Sequence, residues 1–295
     1  MKLIKMVMNI QNLLHFYLIG LVCYLSFLIV SIIQGNKEVI MRASSLLVLL
    51  HLILLAIYQG VLGWNIFVGC VLMLGIYELS QQYAISKIVL GIVTLIVFVT
   101  GLYTQSQFIE FATPGFILMS FITFNSQQEL VQKPHYLFAF SLFVLVLGSI
   151  FLANLIKISP GSLLAILFLI QFNDNIGYIF GKKFGKTYPF PEASPGKTLE
   201  GYLFAGIGLI LAIILLHTYI PVLHTNLLQD AILLLVIWIV GNLGDLLFSS
   251  LKRKLGIKDF SEILPGHGGI LDRFDSILFA APFFYIFINH GFPVF

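Results

Sequence analysis

About ten apolar runs, each long enough or nearly long enough to cross a bilayer, follow one another along this chain. They lie near 12–33, 44–59, 61–78, 88–104, 107–125, 136–156, 161–180, 201–220, 228–250 and 270–289. A soluble core cannot hide so many. Of the 295 residues 59% are hydrophobic and 10% are charged, against roughly 25% charged in a soluble domain. The bilayer is the expected solvent, and the expected fold is an all-α polytopic integral membrane protein with about nine or ten transmembrane helices. The run at 12–33 exceeds a signal-peptide core and lacks a small-x-small cleavage site, so it reads as a retained helix. The runs at 44–59 and 61–78 are short, with no charge between them, and read as a tight helical hairpin or one broken element.

Charge is unevenly placed. The net charge of +3 gives no argument for nucleic acid as a partner. Positions 182–273 hold nine of the 16 Lys and Arg residues, in two loops. One carries Lys182, Lys183, Lys186 and Lys197; the other carries Lys252, Arg253, Lys254, Lys258 and Arg273. The connector from His217 to Asp230 has neither Lys nor Arg. By the positive-inside rule both basic loops are cytoplasmic and the connector lies outside. Ten spans then put the N-terminus outside, whereas Lys2 and Lys5 favour the inside, as nine spans would allow. The chain divides into a scaffold of N-terminal helices, 1–160, and a chemistry-bearing part, 161–295. In the scaffold Glu78 and Glu110 stand at helix ends and read as solvated or capping residues. His15, His51, Cys23 and Cys70 fall on apolar runs and read as structural, the cysteines as small buried hydrophobes.

Three polar stripes interrupt the apolar pattern. At 100° per residue Asn242, Asp245, Ser249 and Lys252 share one helix face. Asp272, Asp275 and Ser276 do the same on the next helix, and Gln171, Asp174, Asn175, Tyr178 and Lys182 on an earlier one. Each stripe ends at a basic loop, so all three lie at the cytoplasmic side. An Asp facing lipid costs several kcal/mol, so the stripes predict a cytoplasm-facing polar funnel in the C-terminal half. Carboxylates suit Mg²⁺ shared with phosphate oxygens, and Lys and Arg suit the remaining phosphate charge. The turn Gly266–His267–Gly268–Gly269 places backbone N–H groups just before a helix, a place that suits an anion. The turn Ser194-Pro195-Gly196-Lys197-Thr198 presents hydroxyls and one Lys without the spacing of a Walker loop. Together these features point to phosphoryl or nucleotidyl transfer.

The run from Ser249 to Asp275, SSLKRKLGIKDFSEILPGHGGILDRFD, fits S-x-x-K-R-x4-K-D-x-[GSA]-x2-L-P-x-H-G-G-x-x-D-R-x-D without a break. It resembles the phosphatidate cytidylyltransferase (CDP-diacylglycerol synthase) family, as do GDLLFSSLKR from Gly244, SPGKTLEG from Ser194 and D-x-x-x-Y-x-x-G-K-K-F-G from Asp174. The resemblance covers roughly residues 170–290. It implies CTP and phosphatidate as substrates, membrane lipid as the surroundings, and Mg²⁺, with a monovalent cation such as K⁺ beside it. It implies metal binding by Asp245 and Asp272, with Asp275 as a further candidate. It implies catalytic roles for Asp245, Asp272, Ser249, Lys252 and Arg253, and substrate contacts from Ser194, Lys197, Lys258, His267, Gly268, Gly269, Arg273 and Asp174. A homodimer in a bacterial inner membrane, with its site facing the cytoplasm, is the family expectation. Asn175 and Ile176 depart from the usual Ser or Thr and small residue after the aspartate. The competing readings are a CTP-dependent lipid kinase of the polyprenol or phytol type, a transporter with intramembrane aspartates, and an inactive paralogue.

Overall fold

The computed structural model describes residues 37–82, 87–103, 134–219, 227–264 and 268–290. Its helices are α1 (Lys37–Tyr58), α2 (Gly60–Gln82), α3 (Lys87–Tyr103), α4 (Pro134–Ile158), α5 (Pro160–Phe184), α6 (Leu199–Tyr219), α7 (Leu227–Lys254) and α8 (Leu271–His290). Among the described residues there is no strand, only an isolated antiparallel bridge between Leu264 and Gly268. The segments Gly60–Gln82, Tyr136–Ile158, Pro160–Phe184, Leu199–His217 and Leu227–Lys254 are long and apolar enough to cross a membrane. The protein is therefore an integral membrane protein with five such helices among the described residues. The expected runs at 12–33 and 107–125 lie outside the described residues, as do Cys23 and Glu110. The runs at 44–59 and 61–78 form two helices, α1 and α2, which touch each other and are separated only by Gln59, with Gly60 at φ +73°.

Helix boundaries follow local chemistry. Ser159 caps α5 by accepting from the Ser162 amide at 3.2 Å, and Pro160 takes the first position, where no N–H is needed. At the end of α7 the Gly256 amide donates to Arg253 and the Ile257 amide to Lys252, both at 3.0 Å. Gly256 has φ +71°, as this C-terminal cap requires.

α4 is central and packs on α2, α3, α5 and α8. Trp64 of α2 is fully buried and donates from Nε1 to the Leu152 carbonyl of α4 at 2.9 Å. Phe151 of α4 meets Tyr285 of α8 edge-on at 5.2 Å. One apolar cluster runs from Leu54 to Ile288 and joins both sides of residue 160. Outward positions on α3 and α6 are apolar, among them Ile92, Ile96, Leu203, Ile207 and Ile214, as lipid contact demands. Cys70 is exposed as well, not buried as its apolar run suggests, because its side of α2 has no neighbour among the described helices.

α5 and α6 also pack closely. A Cβ on Gly201 would lie 3.1 Å from Gly181 Cα and 2.7 Å from the Gly177 carbonyl oxygen. Small residues at four-residue spacing on both helices let the backbones meet. This contact holds the 185–198 loop beside α7.

Candidate active site

Asp174 of the α5 stripe and Asp272 and Asp275 of the α8 stripe come together along the polar face of α7. Asn242 Oδ1 accepts from Asn173 Nδ2 of α5 at 3.3 Å. Asp245 forms an ion pair with Lys197, which arrives from the loop before α6. Ser249 donates to Asp245 Oδ1 at 3.3 Å, and Lys252 Nζ lies 2.6 Å from Asp272 Oδ1 of α8. The apolar face of the same helix, with Leu246, Leu247, Phe248 and Leu251, is buried against its neighbours. Asp245 therefore lies on the inner polar side.

Electrostatics bind this group together. Asp174 and Asp275 each lie within reach of the Asp245 charge and of one another. Asp275 also feels Lys252, and Asp174 feels Lys197. Lys197 lies 5.7 Å from the Tyr202 ring centre, and Lys252 the same distance from that of Phe260. Burial works against the Lys197 charge, but Asp245 and then Asp174 more than offset it and hold its pKa above the ordinary lysine value. Lys197 is thus a cation at neutral pH.

Asp272 accepts from three donors. Besides Lys252, its Oδ2 accepts from the Phe260 amide at 3.0 Å and the Gly269 amide at 2.9 Å. Gly268 has φ +82°, and a Cβ there would lie 3.0 Å from Asp272 Oδ2. Of the turn amides that the sequence offers to an anion, that of Gly269 is thus met from within the protein. The next two, of Ile270 and Leu271, donate to Glu78. The expectation for Glu78 needs correction: it is fully buried, and it caps α8 rather than its own helix.

Other expected residues stand further out. Arg253 is exposed and donates to the Ile257 carbonyl at 3.4 Å. Lys258 is exposed on the loop after α7. Ser194 is half-buried, with its carbonyl accepting from the Lys197 amide at 3.2 Å. Arg273 Nε is buried without a hydrogen-bond partner among the described residues. His267 lies outside the described residues. Gln171, Asn175, Tyr178 and Lys182 are exposed, while Asp174 turns inward. Ile176 packs on α6, where a Cβ on Gly208 would lie 3.0 Å from its Cγ2. Its bulk is accommodated at the helix seam.

Two supports went unseen in the sequence. Asn173 is fully buried and links Asp174, at 3.1 Å, to Asn242. Glu200 accepts from the Lys186 and Thr187 amides, at 3.0 and 3.2 Å, and so ties down the start of the loop that carries Lys197.

A profile of the cytidylyltransferase family matches residues 40–290, which is most of the chain. The chain belongs to the cytidylyltransferase family. It is 40% identical over 154 residues to a phosphatidate cytidylyltransferase of Aquifex aeolicus, across 51% of this chain and 57% of that one. It is 45% identical over 125 residues to the phosphatidate cytidylyltransferase of Bacillus subtilis, across 41% of this chain and 44% of that one. It is 41% identical over 133 residues to the uncharacterized protein YnbB of Escherichia coli, across 44% of each chain. The chain spans about half the length of the curated relatives it matches.

The donor set at this site suits a hard divalent cation, because it is made of mutually repelling carboxylate oxygens beside two lysines. Among the described residues no three acidic, His or Cys side chains already converge at ligating distance. Asp245 has a lysine on one oxygen, and Asp272 accepts three donors of the roughly four a carboxylate takes.

Proposed function

We propose that this cytidylyltransferase moves the cytidylyl group of CTP onto phosphatidate, giving CDP-diacylglycerol and pyrophosphate in phospholipid biosynthesis. The observation that carries the reading is the pair of bridges on one helix face, Lys197–Asp245 and Lys252–Asp272. They combine cations for a polyphosphate with carboxylates for a metal inside an apolar helix bundle.

In this reaction a phosphatidate oxygen attacks the α-phosphorus of CTP in line. The new P–O bond forms as the bond to the β-phosphate bridge breaks, and pyrophosphate leaves with the electron pair. The nucleophile is a phosphate monoester, already largely ionised at neutral pH because its second pKa is about 6. No base is needed to activate it, and the demand on the protein is charge neutralisation and alignment. Lys197 and Lys252 exchange their carboxylate partners for phosphate oxygens. Asp245 and Asp272, with Asp275, would hold Mg²⁺, which when bound neutralises charge on the phosphate oxygens; a monovalent cation such as K⁺ belongs to the same proposal. Ser249 orients Asp245. Arg253, Ser194, Lys258, His267, Gly268, Gly269, Arg273 and Asp174 are the proposed further contacts to substrate.

The proposed setting is a bacterial inner membrane with the polar funnel open to the cytoplasm, where CTP is made. Phosphatidate then enters from the bilayer. Assembly as a homodimer follows from family resemblance alone, and the mass of the detergent-solubilised particle tests it. The reaction is tested with purified protein, phosphatidate, Mg²⁺ and CTP labelled at the α- or the γ-phosphate. Label from the α-position is expected in the lipid. Label from the γ-position would make the protein a lipid kinase instead, and no label from either would leave the transporter or inactive readings.

A further inference from the structure

Glu78 lies in α2, in the half of the chain that carries no other site residue, yet its carboxylate is fully buried beside Asp272. Its Oε1 accepts from the Ile270 amide at 2.7 Å and from Ser261 Oγ at 2.6 Å. Its Oε2 accepts from the Leu271 amide at 2.9 Å. Those amides open α8, where a helix leaves its first N–H groups without internal partners and carries partial positive charge. One turn further along α2, Gln82 Nε2 donates to the Phe260 carbonyl at 3.4 Å. The amide of Phe260 donates in turn to Asp272. α2 therefore grips both ends of the 260–271 loop.

The grip is placed where it governs chemistry. The two amides held by Glu78 immediately precede Asp272, and Asp272 itself reaches back to the Gly269 amide at 2.9 Å. The first turn of α8 is thus fixed from outside by one carboxylate and from inside by another. In that register Asp272 Oδ1 meets Lys252 Nζ at 2.6 Å. The fit around Glu78 is tight. A Cβ on Gly269 would lie 2.7 Å from each of its carboxylate oxygens.

We propose that Glu78 is a positioning residue for the site: its buried carboxylate caps the N-terminus of α8 across the bundle and sets the orientation of Asp272 toward Lys252. Its effect on turnover rests on the cytidylyl-transfer reading, whereas its effect on the loop does not.

The test uses the full chain in detergent, with hydrogen exchange of backbone amides and turnover measured on the same samples. Glu78→Gln keeps the shape but removes the charge and turns an NH₂ toward an amide N–H. Its expected signature is exchange at least tenfold faster at 260–272, with α4 and the remainder of α8 unchanged, and turnover at least tenfold lower. Glu78→Asp, which keeps the charge, should recover part of both. Unchanged exchange at Gly269, Ile270 and Leu271 overturns the proposal, and so does acceleration spread evenly over the bundle. Gly269→Ala attacks the same contact from the other side and covers the case in which Glu78→Gln does not fold. It should give the same local signature, and adding Glu78→Asp, which makes room for the methyl, should restore protection. Failure of that restoration overturns the proposal too. If the wild-type chain transfers no cytidylyl group, the reading of function falls while the exchange pattern still decides the role of Glu78.

Discussion

Lys252, Arg253 and Lys254 are neighbours in sequence with different surroundings. Lys252 is half-buried against Asp272, whereas Arg253 points to solvent at the helix end. Removing Lys252 strips a cation from the phosphate site; Lys254 lies about 160° from the centre of the polar stripe by helical geometry. Lys252→Ala is expected to lower kcat/KM for CTP at least tenfold, about 1.4 kcal/mol of transition-state stabilisation. Lys254→Ala should stay within about threefold, roughly 0.7 kcal/mol on the same scale. Equal losses would mean bulk positive charge matters rather than a placed ligand. The two aspartates should separate in a different way. Asp245→Asn removes a charge from a pair whose side chains are 22% and 27% exposed, so it should abolish turnover with little change in melting temperature. Asp272→Asn leaves Lys252 unpaired, with that pair only 12% and 2% exposed, and turns an amide toward two backbone donors. Breaking a buried pair costs about 3–5 kcal/mol. This variant should lose turnover and melt measurably lower, and thermal unfolding followed by fluorescence distinguishes the two.

Among the elements, the α5–α6 seam leaves little room. Gly201→Ala would drive a methyl into Gly181 and the Gly177 carbonyl, and overpacking of this kind costs about 1–3 kcal/mol. The helices must part, and the loop between them moves with α6. Lys197 rides on that loop, one residue before the Thr198 that caps α6. Gly201→Ala is therefore expected to raise the apparent KM for CTP as well as lower the melting temperature. A lower melting temperature with unchanged KM would show that the seam does not govern the placement of Lys197.

For the whole molecule the decisive test is sidedness. Gln82 touches the loop after α7, and Lys157 at the end of α4 donates to the Leu102 carbonyl near the end of α3. The end of α2 thus lies beside the site, and the ends of α3 and α4 lie together. Glu192 and Lys258 are exposed at the site end, and Leu228 is exposed at the start of α7, the opposite end of that helix. With Cys23 and Cys70 replaced by Ser, an impermeant thiol reagent on intact cells should label Leu228→Cys. It should leave Glu192→Cys and Lys258→Cys unlabelled until the membrane is permeabilised. Labelling of either site-end position from outside would split the site from its nucleotide.

The apolar runs, their approximate bounds and the face carrying Asn242, Asp245, Ser249 and Lys252 follow from the sequence alone, because helical periodicity and the cost of polar groups in lipid act locally. That the α7 and α8 stripes approach one another was legible for the same reason, whereas of the α5 stripe only Asp174 turns inward and Gln171, Asn175, Tyr178 and Lys182 are exposed. Which lysine meets which aspartate was not legible. Periodicity gives a residue its face, but the partner across the seam depends on how closely helices such as α5 and α6 approach. Glu78 was hidden further still. Its partners Ser261, Ile270 and Leu271 lie 183, 192 and 193 positions away, and a single Glu near the end of an apolar run looks like an ordinary helix terminus. Sequence by itself determined a membrane bundle with acidic and basic groups gathered at one end, since hydropathy and charge are properties of the residues. Only the tertiary structure decided that a carboxylate from α2 completes the start of α8, since unpaired helix N–H groups buried in a bundle must be satisfied by whatever the packing brings near.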